Sequence, residues 1–314
     1  MHIEIPFIGQ VEAQEQTDWI NAINAIAKKF RLVPLDVVPA DQLPQVEIAV
    51  VASPQPEKLK ALPNLKWIQS LWAGVEDILS SGIDPDISIV RLKDPQMAES
   101  MAEAVLAWTL YLHRNMPLYK RQQTQKVWQQ HSLSTPQTCN VTVFGLGKLG
   151  SQAALRLKQN NFSVRGWSNS EKSIDGIDTC YGTDGFESVL PVTDIAVLLL
   201  PLTKNTTGLF DKNCLLKLPT GASMINFSRG PIMVETDLLE CLDSKHLDHA
   251  VLDVFNEEPL PAGNALWSHP DVTVLPHISA PTTLSSAAAI TAENIDNYLS
   301  SKTIPASVDR SRGY

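Results

Sequence analysis

Apolar and polar positions along the chain fall into short apolar runs separated by amphipathic stretches. Ile3 to Phe7 alternates and reads as a strand, Glu47 to Ala52 (EIAVVA) and Trp67-Ile68-Gln69 read as further strands, and Ile87 to Arg91 closes this series. Between the first two, Thr17 to Phe30 carries the periodicity of an amphipathic helix. Strands alternating with helices predict a parallel sheet covered by helices on both faces. Asp94-Pro95 interrupts the rhythm. Met97 to Met116 then reads as one long helix, Leu118 to Trp128 as a second, and Gln129 to Gln137 (QQHSLSTPQ) as a polar loop.

After that loop the strand–helix rhythm resumes. Val141 to Phe144 is an apolar strand, and Ser163 to Trp167 is predicted to be the next. Further strands are predicted over Asp194 to Leu200, Ala222 to Asn226, Asp248 to Leu252 and Val272 to Leu275, with a last helix over Thr282 to Leu299. Thr203, Arg229, Asp253 and His277 each follow one of these apolar strands. In an open α/β sheet, ligands bind beyond the carboxyl ends of the strands. These four side chains can therefore converge.

The organising stretch is Val141-Thr142-Val143-Phe144-Gly145-Leu146-Gly147-Lys148-Leu149-Gly150, with a helix reading over Ser151 to Lys158. Strand, G-x-G-x-x-G and helix together form a dinucleotide-binding unit. Gly145 permits the tight turn, Gly147 lets a pyrophosphate approach the backbone, and Gly150 lets helix and strand pack closely. The helix N-terminus offers N–H groups and a positive dipole end to phosphates. Residues 1 to about 95 carry no such fingerprint.

Composition narrows the function. The chain has 314 residues, 44% of them apolar, enough for two domains with substantial cores. A formal net charge of -9 argues against nucleic acid or an anionic membrane as partner. Cys139, Cys180, Cys214 and Cys241 are too widely spaced for a metal-ligand pattern, and no metal is expected. They read as reduced thiols in a cytoplasmic protein. The opening MHIEIPFIGQ lacks a basic region and a long apolar run, so no signal peptide is expected there.

Two side chains could do chemistry. Arg229, before Gly230, can fork two hydrogen bonds onto a carboxylate, although a surface salt bridge is the commoner fate of an arginine. His277 could serve as a general acid if a carboxylate steadied its imidazolium, and Glu258 is the candidate. His2, His113, His131, His246, His249 and His269 read as structural or surface residues, and Glu257 as a solvated one.

The ordered series G-x-G-x-x-G, PLT-x-x-T (Pro201 to Thr206), IN-x-x-RG (Ile225 to Gly230), LDVF-x-x-EPL (Leu252 to Leu260) and Pro276-His277 resembles the D-isomer-specific 2-hydroxyacid dehydrogenases. Within that family it looks most like the bacterial type A glyoxylate/hydroxypyruvate reductases, which the early Ala73-Gly74-Val75 and the closing run Val308 to Tyr314 also match. The resemblance implies two Rossmann-like doubly wound α/β lobes with a cleft between them. Residues 1–96 plus 285–314 would form the substrate lobe and 97–284 the dinucleotide lobe.

It further implies reduction of a small 2-ketoacid by NAD(P)H. Arg229 would clamp the carboxylate and polarise the ketone, and His277, steadied by Glu258, would donate the proton. Trp72, Ala73, Gly74 and Val75 would meet the substrate. The cofactor would meet Gly145, Gly147, Lys148, Leu149 and Gly150; then Ser168, Asn169 and Lys172; and beyond them Pro201, Thr203, Thr206, Asn226 and Asp253, the last at the nicotinamide carboxamide. A homodimer is also implied.

Two positions depart from the family pattern. The acid that binds ribose hydroxyls should stand about twenty residues past the first glycine. Ser168 stands there instead, which removes repulsion toward a 2′-phosphate and favours NADPH over NADH. Arginines common in NADP-type relatives are replaced by Asn169 and Glu171, leaving Lys172 and Arg165 as cations. Trp72 stands where relatives often carry a small residue, and either narrows the pocket or packs outside it. Two alternatives stay open. Some relatives are nucleotide-sensing corepressor scaffolds, and others oxidise different substrates such as formate, where a glutamine would be expected at Glu258.

Overall fold

The computed structural model describes residues 3–310; His2 and the end of the closing run, Ser311 to Tyr314, lie outside the described residues. The chain divides into two compact units, one running to Gln96 and resuming at Thr282, the other Met97–Pro281. Each is a wholly parallel sheet with helices, as expected of two Rossmann-like α/β lobes. No described helix is long and apolar enough to cross a membrane.

The first unit contains β1 (Ile3–Gly9), β2 (Phe30–Pro34), β3 (Ile48–Ala52), β4 (Trp67–Ser70) and β5 (Ser88–Val90), in the order β2-β1-β3-β4-β5. All of β3 is buried, because a central parallel strand has both faces covered. Ala49, Val51, Ile68 and Ile89 join one core with Leu59, Leu62 and Ile78. Helix Leu284–Ser301 returns to this unit: Tyr298 lies edge-on to Trp67 at 5.4 Å, and Asn294 donates to the buried Gln69 at 2.9 Å. The helix expected over Thr17 to Phe30 instead spans Ala13–Asn24. The Asn24 side chain bonds both the carbonyl and the N–H of Leu32 (2.9 and 2.7 Å), closing the helix against β2, a strand that the sequence pattern did not announce.

The second unit contains β6 (Asn140–Phe144), β7 (Ser163–Ser168), β8 (Asp178–Tyr181), β9 (Ile195–Leu198), β10 (Ala222–Asn226), β11 (Leu247–Leu252) and β12 (Val272–Val274). Their order is β12-β11-β10-β9-β6-β7-β8. Side chains alternate between faces, as the two-residue strand period requires. Val141, Val143, Val197, Ile225 and Val251 belong to one core, and Phe144, Ala196, Leu198, Met224 and Leu252 to the other. β8 and the helix Gly182–Val189 were not expected from the sequence. β8 is a half-exposed edge strand of sequence DTCY, with no apolar run to mark it.

His249 on β11 is 2% exposed. Its Nε2 pairs with Thr273 Oγ1 at 2.9 Å, and burial holds its pKa down to about 4. The sign follows from linkage: as pH falls from about 6.5 toward 4, the unfolded chain takes up a proton that the folded ring refuses, so stability is lost. Between pH 7 and 4.5 this group alone should account for a loss of about 2–3 kcal/mol. His249→Gln keeps a partner for Thr273 and does not titrate. Urea unfolding at the two pH values should show wild type losing that much more than the variant; an equal loss would mean that His249 is not neutral in the fold.

Candidate active site

The parallel register of the second sheet builds the site. Val274, Leu252, Asn226, Leu198, Phe144 and Trp167 are successive partners across β12, β11, β10, β9, β6 and β7. All six strands therefore end in one row on one edge. The strand order reverses between β6, whose other neighbour is β7, and β9. Ligands of doubly wound sheets bind at such a switch point. The glycine loop occupies it.

Each glycine has a separate physical cause. Gly145 has φ +106°, and a Cβ there would lie 2.4 Å from the Leu199 carbonyl oxygen. A Cβ on Gly150 would lie 1.7 Å from the Gly145 oxygen. Gly147 caps the helix Lys148–Gln159, and a Cβ there would meet nothing within 4 Å. Packing thus demands Gly145 and Gly150, whereas the space over Gly147 is open to a ligand.

Two strands along, the Arg229 turn follows β10. Asn226 is fully buried, accepts from the Ser228 N–H at 3.1 Å and donates to the Arg229 carbonyl at 3.2 Å. Arg229 Nη1 donates to the Ser228 carbonyl at 2.7 Å. Gly230 seats this turn on the next loop, since a Cβ there would lie 2.0 Å from the Phe255 carbonyl carbon. That loop carries Glu258. Its Oε1 accepts the Phe255 N–H at 2.9 Å, and its Oε2 meets His277 Nδ1 at 2.7 Å. A carboxylate only accepts, so Nδ1 carries the proton and Nε2 is the nitrogen that Glu258 leaves unengaged. The His277 side chain is 53% exposed, so a reactant can reach it. Its backbone is left-handed at φ +54°, a conformation that costs a residue with a Cβ about 1–3 kcal/mol and needs support from its surroundings. Asp253, 2% exposed, accepts the next two N–H groups, from Ile278 at 2.8 Å and Ser279 at 2.9 Å.

Residues 106–279 match the sequence profile of the D-isomer specific 2-hydroxyacid dehydrogenase NAD binding domain. The chain belongs to the D-isomer specific 2-hydroxyacid dehydrogenase family. Among solved structures it is similar to a family member from Xanthobacter autotrophicus Py2 in complex with NADPH and MES, with 34% identity, TM-score 0.91, and 98% of this chain and 99% of that chain covered. It is also similar to an NADPH-dependent glyoxylate/hydroxypyruvate reductase from Sinorhizobium meliloti in complex with NADP and sulfate, with 31% identity, TM-score 0.89, and 99% and 100% covered. A probable 2-hydroxyacid dehydrogenase from Rhizobium etli CFN 42, in complex with NADP, HEPES and L(+)-tartaric acid, is 29% identical at TM-score 0.89 over 99% and 100% of the two chains.

The other expected site residues of this dehydrogenase fall at strand ends too, but several are occupied. Thr206 Oγ1 donates to the Pro201 carbonyl at 2.7 Å and accepts the Thr203 N–H at 2.8 Å, closing the loop after β9 on itself. Ser168, at the end of β7, donates its hydroxyl proton to the Ser170 carbonyl at 2.7 Å and is only 8% exposed. That bond directs its single hydroxyl proton at Ser170. Asn169 and Lys172 are exposed beside it, and Arg165 pairs with Asp178 at 3.2 Å. Trp72 follows β4 in the first unit, where its ring packs edge-on to Trp19 at 6.0 Å and its Nε1 donates to Ser53 Oγ at 3.2 Å. Ala73 and Gly74 are half-buried and Val75 is buried.

The bracing parts of this dehydrogenase, Gly230 and the Asn226 side chain as a turn support, carry little mark in the sequence. The Arg-Gly pair was the available signal, because a glycine directly after a strand-end arginine marks a close backbone approach. Gly230→Ala and Gly150→Ala should each lower the melting temperature, or prevent folding, because the new methyl meets backbone that cannot yield. Gly147→Ala should leave it within about 2 °C, an effect of a few tenths of a kcal/mol. Calorimetry on the three variants checks this, and equal losses would contradict the packing argument.

Proposed function

We propose that this chain reduces small 2-ketoacids, glyoxylate to glycolate and hydroxypyruvate to D-glycerate, with NADPH preferred over NADH. The observation that carries the reading is the His277–Glu258 pair at 2.7 Å, on the sheet edge that also holds the Arg229 turn and the glycine loop. A proton donor, a cation for a carboxylate and a phosphate cradle are the three needs of that reaction.

The residues present fit a dinucleotide. The open space over Gly147 and the N-terminus of helix Lys148–Gln159 suit a pyrophosphate, with the backbone of Lys148 and Leu149 beside it. Pro201 and Thr203 line the way along the strand ends. When bound, the nicotinamide supplies the hydride for the carbonyl carbon. The remaining work belongs to the chain. Arg229 holds the carboxylate through its planar fork and polarises the ketone. His277 Nε2 delivers a proton to the carbonyl oxygen as negative charge develops on it. Glu258 fixes the tautomer and steadies the imidazolium. Asp211 and Asn264 cap helices elsewhere in this unit, and neither competes for these groups.

Preference for NADPH rests on the missing acid at Ser168. With its proton on Ser170, the serine presents neither a charge nor a donor to the ribose, so Asn169 and Lys172 are left to meet a 2′-phosphate. Relatives crystallised with NADPH or NADP support this reading.

A spectrophotometric panel of 2-ketoacids with NADPH and with NADH tests the proposal; an enzyme that turns over neither glyoxylate nor hydroxypyruvate would sink it. His277→Ala should lower turnover by about two to four orders of magnitude, the usual worth of general acid catalysis, with NADPH binding nearly unchanged. Near wild-type turnover would remove His277 from the role of acid. Ser168→Asp should reverse the cofactor order, because the new carboxylate binds ribose hydroxyls and repels a phosphate. The readout is kcat/KM with each cofactor, and a wild type that prefers NADH would overturn the cofactor argument.

A further inference from the structure

The first sheet has a carboxyl edge of its own. Gly9 and Ala52 are partners across β1 and β3, and Val51 and Ser70 across β3 and β4, so these strands end together. The strand order reverses between β1 and β3. Open α/β sheets bind ligands in the crevice at such a reversal. Trp72 reaches into that place from the end of β4. Its Nε1 donates to the hydroxyl of Ser53, the residue after β3, at 3.2 Å. Its ring stands edge-on at 6.0 Å to Trp19, on the helix that follows β1. The indole thus spans the reversal from one side to the other. Backbone bonds hold it there. Ser70 Oγ accepts the Trp72 N–H at 3.1 Å and donates to the Trp72 carbonyl at 3.2 Å, and the Leu92 N–H donates to the same carbonyl at 3.1 Å. Trp19 is buried at 4% exposure, which leaves the neighbouring ring no room to retreat. Trp72 itself is only half-buried. A ring so firmly held, with part of its surface uncovered, is a wall rather than a piece of core.

We propose that Trp72 is a specificity-determining residue: its indole closes the crevice at the β1–β3 reversal and limits the substrate to 2-ketoacids with a short side chain. The proposal rests on the reading that Ala73, Gly74 and Val75, the next residues in the chain, meet the ketoacid. Glyoxylate carries only a hydrogen on its carbonyl carbon, and hydroxypyruvate a hydroxymethyl group. Each further carbon must displace a ring that Ser53 and Trp19 hold in place, and a well-packed site resists added methylenes. Removing the ring opens the crevice to longer apolar side chains. A phenyl ring at the same position keeps most of the bulk and gives up only the bond to Ser53.

The test is a series of unbranched 2-ketoacids, from glyoxylate to 2-ketohexanoate, with NADPH and three proteins: wild type, Trp72→Ala and Trp72→Phe. In wild type, kcat/KM for 2-ketohexanoate should lie at least about a hundredfold below that for glyoxylate, since each carbon that does not fit costs about tenfold or more. Trp72→Ala should raise the ratio of the two efficiencies by about tenfold or more, and Trp72→Phe should leave it within about threefold. A folded Trp72→Ala protein with an unchanged ratio overturns the proposal. So does a wild type whose efficiency is flat along the series, an outcome that needs no variant to fold. A second measurement uses wild type labelled with 5-fluorotryptophan. The Trp72 fluorine signal, assigned by its loss in Trp72→Phe, should shift when oxamate, an unreactive isostere of a 2-ketoacid, is added to the NADPH complex. If wild type reduces no 2-ketoacid, the functional reading fails and this signal still judges the wall. A shift keeps Trp72 at a ligand site, and an unmoved signal overturns the proposal.

Discussion

The parallel register of the seven-stranded sheet is the constraint on which the rest depends. Parallel strands end on the same edge, and here Val274, Leu252, Asn226, Leu198, Phe144 and Trp167 form one row across that edge. Residues far apart in the chain thereby arrive on neighbouring loops without any loop having to be long. The register is held by apolar side chains alternating between two cores, so a slip of one residue would turn each strand inside out. Positioning of the site is thus a by-product of packing.

A strand end brings a loop near but does not orient a side chain. That second task falls to buried polar groups. Asn226 braces the Arg229 turn, Thr206 ties the loop after β9, Glu258 pins the Phe255 amide, and Asp253 receives the amides after His277. Each takes backbone N–H or carbonyl groups that have left the strand ladder and would otherwise be buried unpaired at a cost of about 1–3 kcal/mol apiece. The same bonds that satisfy the turns fix where the candidate side chains leave the backbone. Gly230 belongs to this scheme, because only the absence of a Cβ lets the Arg229 turn touch the Phe255 backbone.

Much of this was legible in sequence, and the reasons differ by element. Apolar runs such as EIAVVA, VTVF and ASMIN announce buried parallel strands because both faces must be covered. G-x-G-x-x-G with its flanking strand and helix announces a phosphate-binding turn because each glycine answers a separate steric demand. Those features are local, and they fixed the fold class and the strand ends on which Arg229, Asp253 and His277 would stand. Elements whose signal is not local were missed. β2 is an edge strand defined by its pairing with β1 and braced by the Asn24 side chain at Leu32, and β8 is a polar edge strand held by one neighbour.

What only the tertiary structure decided is which polar atoms are still available. Sequence could nominate Ser168, Thr206, Asn226 and Asp253 by position, since position follows from the strand pattern. It could not reveal that the Ser168 proton rests on Ser170, that Thr206 closes its own loop, or that Asp253 faces two backbone amides. A hydrogen bond depends on direction and on a partner distant in the chain, whereas hydrophobic burial depends chiefly on how much apolar surface a segment carries. The sequence by itself therefore determined the sheets and the candidates; three-dimensional contact decided which of their polar atoms are already bonded.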